Sequence, residues 1–136
     1  MNEDKFSALL KKQKTFFLTG RTKDVSFRID ALKTLKEAIR AHEKEILSAV
    51  YQDLRKAEID AYGTEISGVY NEIRLAIGNI RDWAARRRVT TPVFMMPAKS
   101  YIYQEPYGVV LIIAPWNYPF QLLMSPLVGA IAAGNT

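Results

Sequence analysis

Cysteine is absent from this chain, and histidine occurs once. These residues can therefore build no disulfide framework, no cysteine-based zinc site and no thiol nucleophile. The single histidine also removes every two-histidine metal motif, and a Ser-His-Asp arrangement could rest only on His42. Charge is missing from one whole stretch. All the charged side chains, 19 Lys and Arg and 14 Asp and Glu, lie at or before Glu105, and Pro106 to Thr136 carries none. A run that long raises the question of a membrane helix, which needs about 20 apolar residues. Pro115, Pro119 and Pro126, with the polar Asn117 and Gln121, interrupt it, and interior proline costs roughly 3 kcal/mol of helix stability. The run reads instead as a strand and a buried helix, with no membrane span. Nor does an apolar leader segment follow the charged start Met1-Asn2-Glu3-Asp4-Lys5. A cytoplasmic setting is expected.

What is present is enough for a folded core. The chain has 136 residues, 49% hydrophobic and 24% charged, with a modest net charge of +5. That excludes a wholly disordered chain and fits one unit of about 100–150 residues. Residues 3–19 place Phe6, Leu9, Leu10, Phe16 and Phe17 among lysines, an amphipathic helix expected to stop at Gly20. Asp24 is a good N-cap for a second helix, with Ile29, Leu32, Leu35 and Ile39 on its apolar side. The pattern continues through His42, Ile46, Val50 and Leu54, with a break expected near residues 41–43. Over 58–88, Ile59, Tyr62, Ile66, Val69, Ile73, Ile77, Ile80 and Ala84 recur at spacings of three and four. That predicts a helix roughly 45 Å long at 1.5 Å per residue. Arg86, Arg87 and Arg88 are expected at its exit, facing the negative end of the helix dipole.

Beyond the Thr90-Thr91-Pro92 loop the period changes to two. Residues 100–105 predict a strand. Val109 to Ala114 is apolar on both faces, as a parallel strand between helix layers would be. Phe120 to Ala133 predicts a buried helix ending at Gly134-Asn135. A strand and a helix are half of a βαβ unit, which needs a second parallel strand beside the first. That strand should begin at Thr136, so the sequence reads as the front end of a larger α/β protein.

Several residues are candidates for chemistry. His42 lies on the apolar stripe with no nucleophile near it in sequence, and it reads as structural. Arg81, Arg86, Arg87 and Arg88 beside Trp83 could contact phosphate, but Glu65, Glu72 and Asp82 on the same helix blunt a nucleic-acid stripe, and no nucleic-acid partner is expected. Glu58, Asp60, Glu65 and Glu72 lack a paired acid–base or metal-ligand spacing and read as a solvated face; no metal is expected. The informative segment is Ala114-Pro115-Trp116-Asn117-Tyr118-Pro119. It would lie at the carboxyl end of a parallel strand, where open sheets bind ligands. Two prolines restrict its backbone, so an Asn117 amide held there could stabilise a developing oxyanion. Equally, Asn117 could cap the following helix while Trp116 fills core.

Glu105-Pro106-Tyr107-Gly108-Val109-Val110, followed by Ile113-Ala114-Pro115-Trp116-Asn117-Tyr118-Pro119-Phe120, resembles the front of the aldehyde dehydrogenase superfamily. There an E-P-x-G turn leads into the first cofactor-domain strand and a P-W-N-[FY]-P turn. Gly20-Arg21-Thr22, Phe27-Arg28 and Ala98-Lys99-Ser100-Tyr101-Ile102-Tyr103 are similar to the class 3 branch, which acts on fatty or aromatic aldehydes. The resemblance implies an α/β fold in three parts. Residues 1–97 would be the N-terminal helical layer, 98–105 a strand of the oligomerisation sheet, and 106–136 the start of a Rossmann-like NAD(P)-binding domain. It further implies Asn117 as oxyanion donor, Ile113, Ala114, Pro115 and Trp116 lining the NAD or NADP site, and Tyr118 facing the substrate tunnel. The family's cysteine nucleophile and glutamate base have no counterpart in these residues, so the chain is expected to be inactive alone. Its parent would oxidise an aldehyde to a carboxylic acid as a homodimer or homotetramer. The alternatives are a non-catalytic helical interaction module, or a related semialdehyde or acylating dehydrogenase.

Overall fold

A computed structural model describes residues 3–136. Met1 and Asn2, from the charged start that argued against a leader segment, lie outside the described residues. Helix α1 (Glu3–Leu18) ends at Gly20, whose φ of 73° is the left-handed conformation expected of a residue following a helix. A single 3₁₀ turn, Arg21–Lys23, leads to α2 (Val25–Ala41). Asp24 caps α2, its Oδ1 accepting from the Ser26 amide at 2.8 Å and from the Ser26 hydroxyl at 2.8 Å. Those bonds hold the Asp24 carboxyl below the usual carboxylate range.

The chain breaks at His42, within the expected interval, and continues as α3 (Glu43–Leu54). His42 is largely exposed, its Nδ1 lying 2.9 Å from Glu45 Oε2. The break turns it off the apolar stripe on which a continuous helix would have placed it. The long periodic segment forms α4 (Glu58–Ala61), a π-helical turn at Tyr62–Ile66 and α5 (Ser67–Ala84). The buried seam is Ala61, Ile66, Val69, Ile73, Ala76 and Ile80. The extra residue per turn in the π segment rotates the N-terminal part of the seam, which leaves Ile59 and Tyr62 exposed.

α5 ends at Ala84, short of the three arginines. These do not line a helix exit, because Arg87–Val89 form strand β1, antiparallel to β2 (Ser100–Ile102), with Arg88 opposite Tyr101. Arg86 lies over the Tyr101 ring, 4.5 Å from its centroid, and also reaches the Tyr103 hydroxyl. The strand over 100–105 is thus shorter than expected, and its partner falls where the sequence pattern predicts helix.

Helix α6 (Gln121–Ala133) packs against α5 and α2 and contributes Val128 and Ala132 to the common core. Pro126 lies within α6 without ending it. Residues 109–114, expected as a strand, form none among the described residues; from Val110 on they alternate in exposure, with Leu111 and Ile113 open and Val110 and Ile112 partly covered. Both faces were expected to be buried. Among the described residues only one is covered, where Val110 and Ile112 share a groove with Phe16, Phe27, Leu127 and Ile131. The Val110 amide donates to the Thr136 carbonyl at 2.9 Å and the Thr136 amide to the Gly108 carbonyl at 2.9 Å. This alternation around one residue is the bonding pattern of parallel strands, at the place where the second strand of the βαβ unit was expected. Among the described residues no helix is long and apolar enough to cross a membrane.

Candidate functional site

α6 is anchored at both ends, and the anchors fix the turn that precedes it. At its C-terminus the Gly134 amide donates to the Ile131 carbonyl at 3.0 Å and the Asn135 amide to the Ala130 carbonyl at 2.9 Å. That is a Schellman closure, with Gly134 left-handed at φ 87°. The side chain of Asn135 accepts from the Gly108 amide at 3.0 Å, tying the helix end to the Glu105–Gly108 turn. Buried Arg28 satisfies the neighbouring carbonyls: its Nε donates to Thr22 at 2.5 Å, Nη2 to Lys23 at 3.0 Å and Nη1 to Ala132 at 3.2 Å. Burial draws its guanidinium pKa below the usual value.

At the other end, the α6 amides meet Glu65. Its side chain is 0% exposed, and Oε2 accepts from the amides of Phe120 at 3.2 Å and Gln121 at 3.1 Å. Oε1 accepts from Lys56 Nζ at 2.6 Å. Lys56 also donates to the Asn117 carbonyl at 3.3 Å and lies 4.0 Å from the centroid of the Tyr118 ring. A carboxylate at a helix N-terminus meets the positive end of the dipole, and removing one member of a buried ion pair typically costs about 3–5 kcal/mol. Glu65 is therefore no part of a solvated face. Ala61, Glu65, Val69 and Ile73 recur every four residues, and the signal available in the sequence was a lone carboxylate within that stripe.

The Ala114–Pro119 turn emerges between these anchors. Trp116 is 86% exposed, so it fills no core. Asn117 is exposed, and α6 has no side-chain cap from its own N-cap position, its first amides being taken by Glu65. Among the described residues the Asn117 amide has no hydrogen-bond partner. Among the described residues Asn117 caps no helix and Trp116 fills no core. Ile113 (85% exposed), Pro115 and Trp116 are open, Ala114 is partly covered, and Tyr118 (38% exposed) leans on Lys56. Among the described residues no three His, Cys, Asp or Glu side chains come together as metal ligands would.

A model of the aldehyde dehydrogenase family matches residues 1–136. The chain belongs to the aldehyde dehydrogenase family. It is 53% identical over 123 residues to a 4,4'-diaponeurosporen-aldehyde dehydrogenase of Staphylococcus aureus, covering 90% of this chain and 27% of that protein. It is 44% identical over 119 residues to aldehyde dehydrogenase family 3 member A2 of Mus musculus, covering 88% and 25%. A solved structure described as the substrate-bound state of Staphylococcus aureus AldH superposes with a TM-score of 0.91 at 49% identity, over 100% of this chain and 29% of that one. The chain thus spans about a quarter of the length of these aldehyde dehydrogenases. The class 3 resemblance read from the sequence agrees with the family 3 relatives.

Proposed function

We propose that this chain is the N-terminal part of an NAD(P)-dependent aldehyde dehydrogenase of the class 3 type. The whole enzyme oxidises an aldehyde to a carboxylic acid through a thiohemiacetal on a cysteine that this chain does not contain. The observation that carries the reading is the Asn117 turn: an exposed amide between two prolines, anchored at its own carbonyl, with neither a cap nor a core to serve. In this role Asn117 donates its N–H₂ to the aldehyde oxygen as negative charge develops there. Such a donor acts most strongly where water is excluded and the donor does not have to reorganise.

Ile113 and Trp116 present apolar surface on the same turn, and no charged side chain follows Glu105. That apolar surface fits the flat ring end of NAD or NADP, with Ala114 and Pro115 between the two walls. NAD(P), when bound, supplies the hydride acceptor. Tyr118, steadied by the Lys56 ammonium, lines the path of the aldehyde. Residues 1–97 serve as the helical layer, which ends in β1 paired with the 98–105 strand of the oligomerisation sheet, and 106–136 serve as the start of the cofactor domain. The enzyme is a homodimer or homotetramer working in the cytoplasm.

The test is turnover. Full-length protein carrying this segment should convert aliphatic or aromatic aldehydes to carboxylates with NAD or NADP, while the 136-residue chain alone should not. A full-length protein inactive with either cofactor would contradict the reading. Turnover by the isolated chain would contradict the assignment of the nucleophile to a missing segment.

A further inference from the structure

The proposed chemistry leaves one buried charged group unused. Glu65 sits in a π-helical turn 55 residues from the α6 amides it binds, and π turns recur at functional positions because they redirect one side chain within an otherwise regular helix. A cap for α6 would need only Oε2. The other oxygen holds Lys56, and Lys56 reaches past α6 to the Asn117 carbonyl and the Tyr118 ring. Arg55, at a left-handed φ of 56°, closes α3 immediately before Lys56. The pair therefore joins three separate stretches of chain: the end of α3, the π turn and the Asn117 turn.

We propose that Glu65 and Lys56 are positioning residues for the Asn117 turn, an ion pair that fixes the turn's backbone and so aims the Asn117 amide. The proposal rests on the reading of Asn117 as oxyanion donor. Its physical basis is that Pro115 and Pro119 restrict the turn's own torsions but attach it to nothing. Its orientation relative to the helices is set by the Lys56 bond at Asn117 and the Glu65 bonds at Phe120 and Gln121. Displacing a reacting group by about 1 Å can cost about 10²-fold in rate, so a loosened turn should reduce kcat without removing any group that touches substrate.

The test is a double-mutant cycle in the full-length enzyme. Glu65→Gln and Lys56→Met should each lower kcat by about 10–100-fold while leaving the KM for the cofactor little changed, and Lys56→Arg should restore part of the loss. Added to Asn117→Ala, either substitution should lower kcat no further, because the donor being aimed is already gone. Lys56, at the edge of the buried pair, gives the readout if Glu65→Gln does not fold. A lowered kcat in Asn117→Ala combined with near-normal kcat in Lys56→Met, or with losses that multiply, would overturn the positioning role and leave the Asn117 reading standing. A normal kcat in Asn117→Ala would overturn that reading, and this inference with it.

Discussion

Replacing Gly134 by alanine should be one of the most damaging small substitutions in the chain. Gly134 is at φ +87°, and a Cβ added there would meet the Thr22 carbonyl oxygen at 2.7 Å and Arg28 Cζ and Nε at 2.9 Å. Neither neighbour can yield cheaply. The first is backbone, and the second is a buried guanidinium already bonded to three carbonyls. The left-handed conformation costs an L-residue about 1–2 kcal/mol, and overpacking a tight site adds about 1–3 kcal/mol. The lower entropy of the unfolded chain returns only about 0.4–1 kcal/mol, leaving a net loss of about 1–4.6 kcal/mol. Gly78 is the control, because it lies within α5 and a Cβ there meets nothing within 4 Å. Gly78→Ala should stabilise by about 0.5–1 kcal/mol. Hydrogen exchange at the Asn135 amide, which bonds Ala130 at 2.9 Å, reads the local effect directly. Protection there should fall by about 5–2,000-fold in Gly134→Ala, at 1.4 kcal/mol per tenfold. Equal exchange in Gly134→Ala and Gly78→Ala would refute the account of how α6 is closed.

Three further outcomes are expected. Asp24→Ala should lower the urea midpoint at neutral pH; because the folded state holds the Asp24 carboxyl below its unfolded value, the difference should shrink as pH falls through that depressed range. Burial, followed by the hydrogen bond and charge of Glu43 at 3.1 Å, pushes the Tyr70 hydroxyl up to about 12. The folded state thus keeps this proton more tightly than an unfolded tyrosine near 10 does. The stability it contributes is whole below about pH 10 and is lost between there and about 12; a phenolate absorbance titration should lose its last step in Tyr70→Phe. Glu65→Ala should destabilise by about 3–5 kcal/mol by leaving Lys56 and two α6 amides without their acceptor, and an unchanged unfolding midpoint would contradict that.

What the sequence made legible were the features whose cause is local. Gly20, Asp24 and Gly134 each mark a helix end by their own chemistry, and each does so in the structure. The apolar period over 58–88 marks a long helical stretch because the spacing itself is the cause, and the helix runs as far as that spacing does, to Ala84. Features with a distant cause were not legible. β1 is three residues long and led by arginines, and only its pairing with Ser100–Ile102 makes it a strand. The π turn shifts the seam by one residue, so a regular 3.6-residue reading takes Tyr62 as buried and Glu65 as exposed, the reverse of what is found. Glu65 is buried because amides 55 residues away need an acceptor, and nothing adjacent in sequence encodes that need. Nor could local pattern reveal that the first α6 amides are taken by Glu65 and not by Asn117.

The central claim is that the Asn117 amide serves the reacting oxygen of the substrate. Its most direct test is the kcat of Asn117→Ala in the full-length enzyme, measured beside its unfolding midpoint. Loss of one oxyanion donor should lower kcat by about 10²–10³-fold, or about 2.7–4 kcal/mol of transition-state stabilisation. The midpoint should stay in place, because the amide makes no bond that holds the fold among the described residues. A near-normal kcat, or a loss of activity that follows a loss of folded protein, would contradict the account.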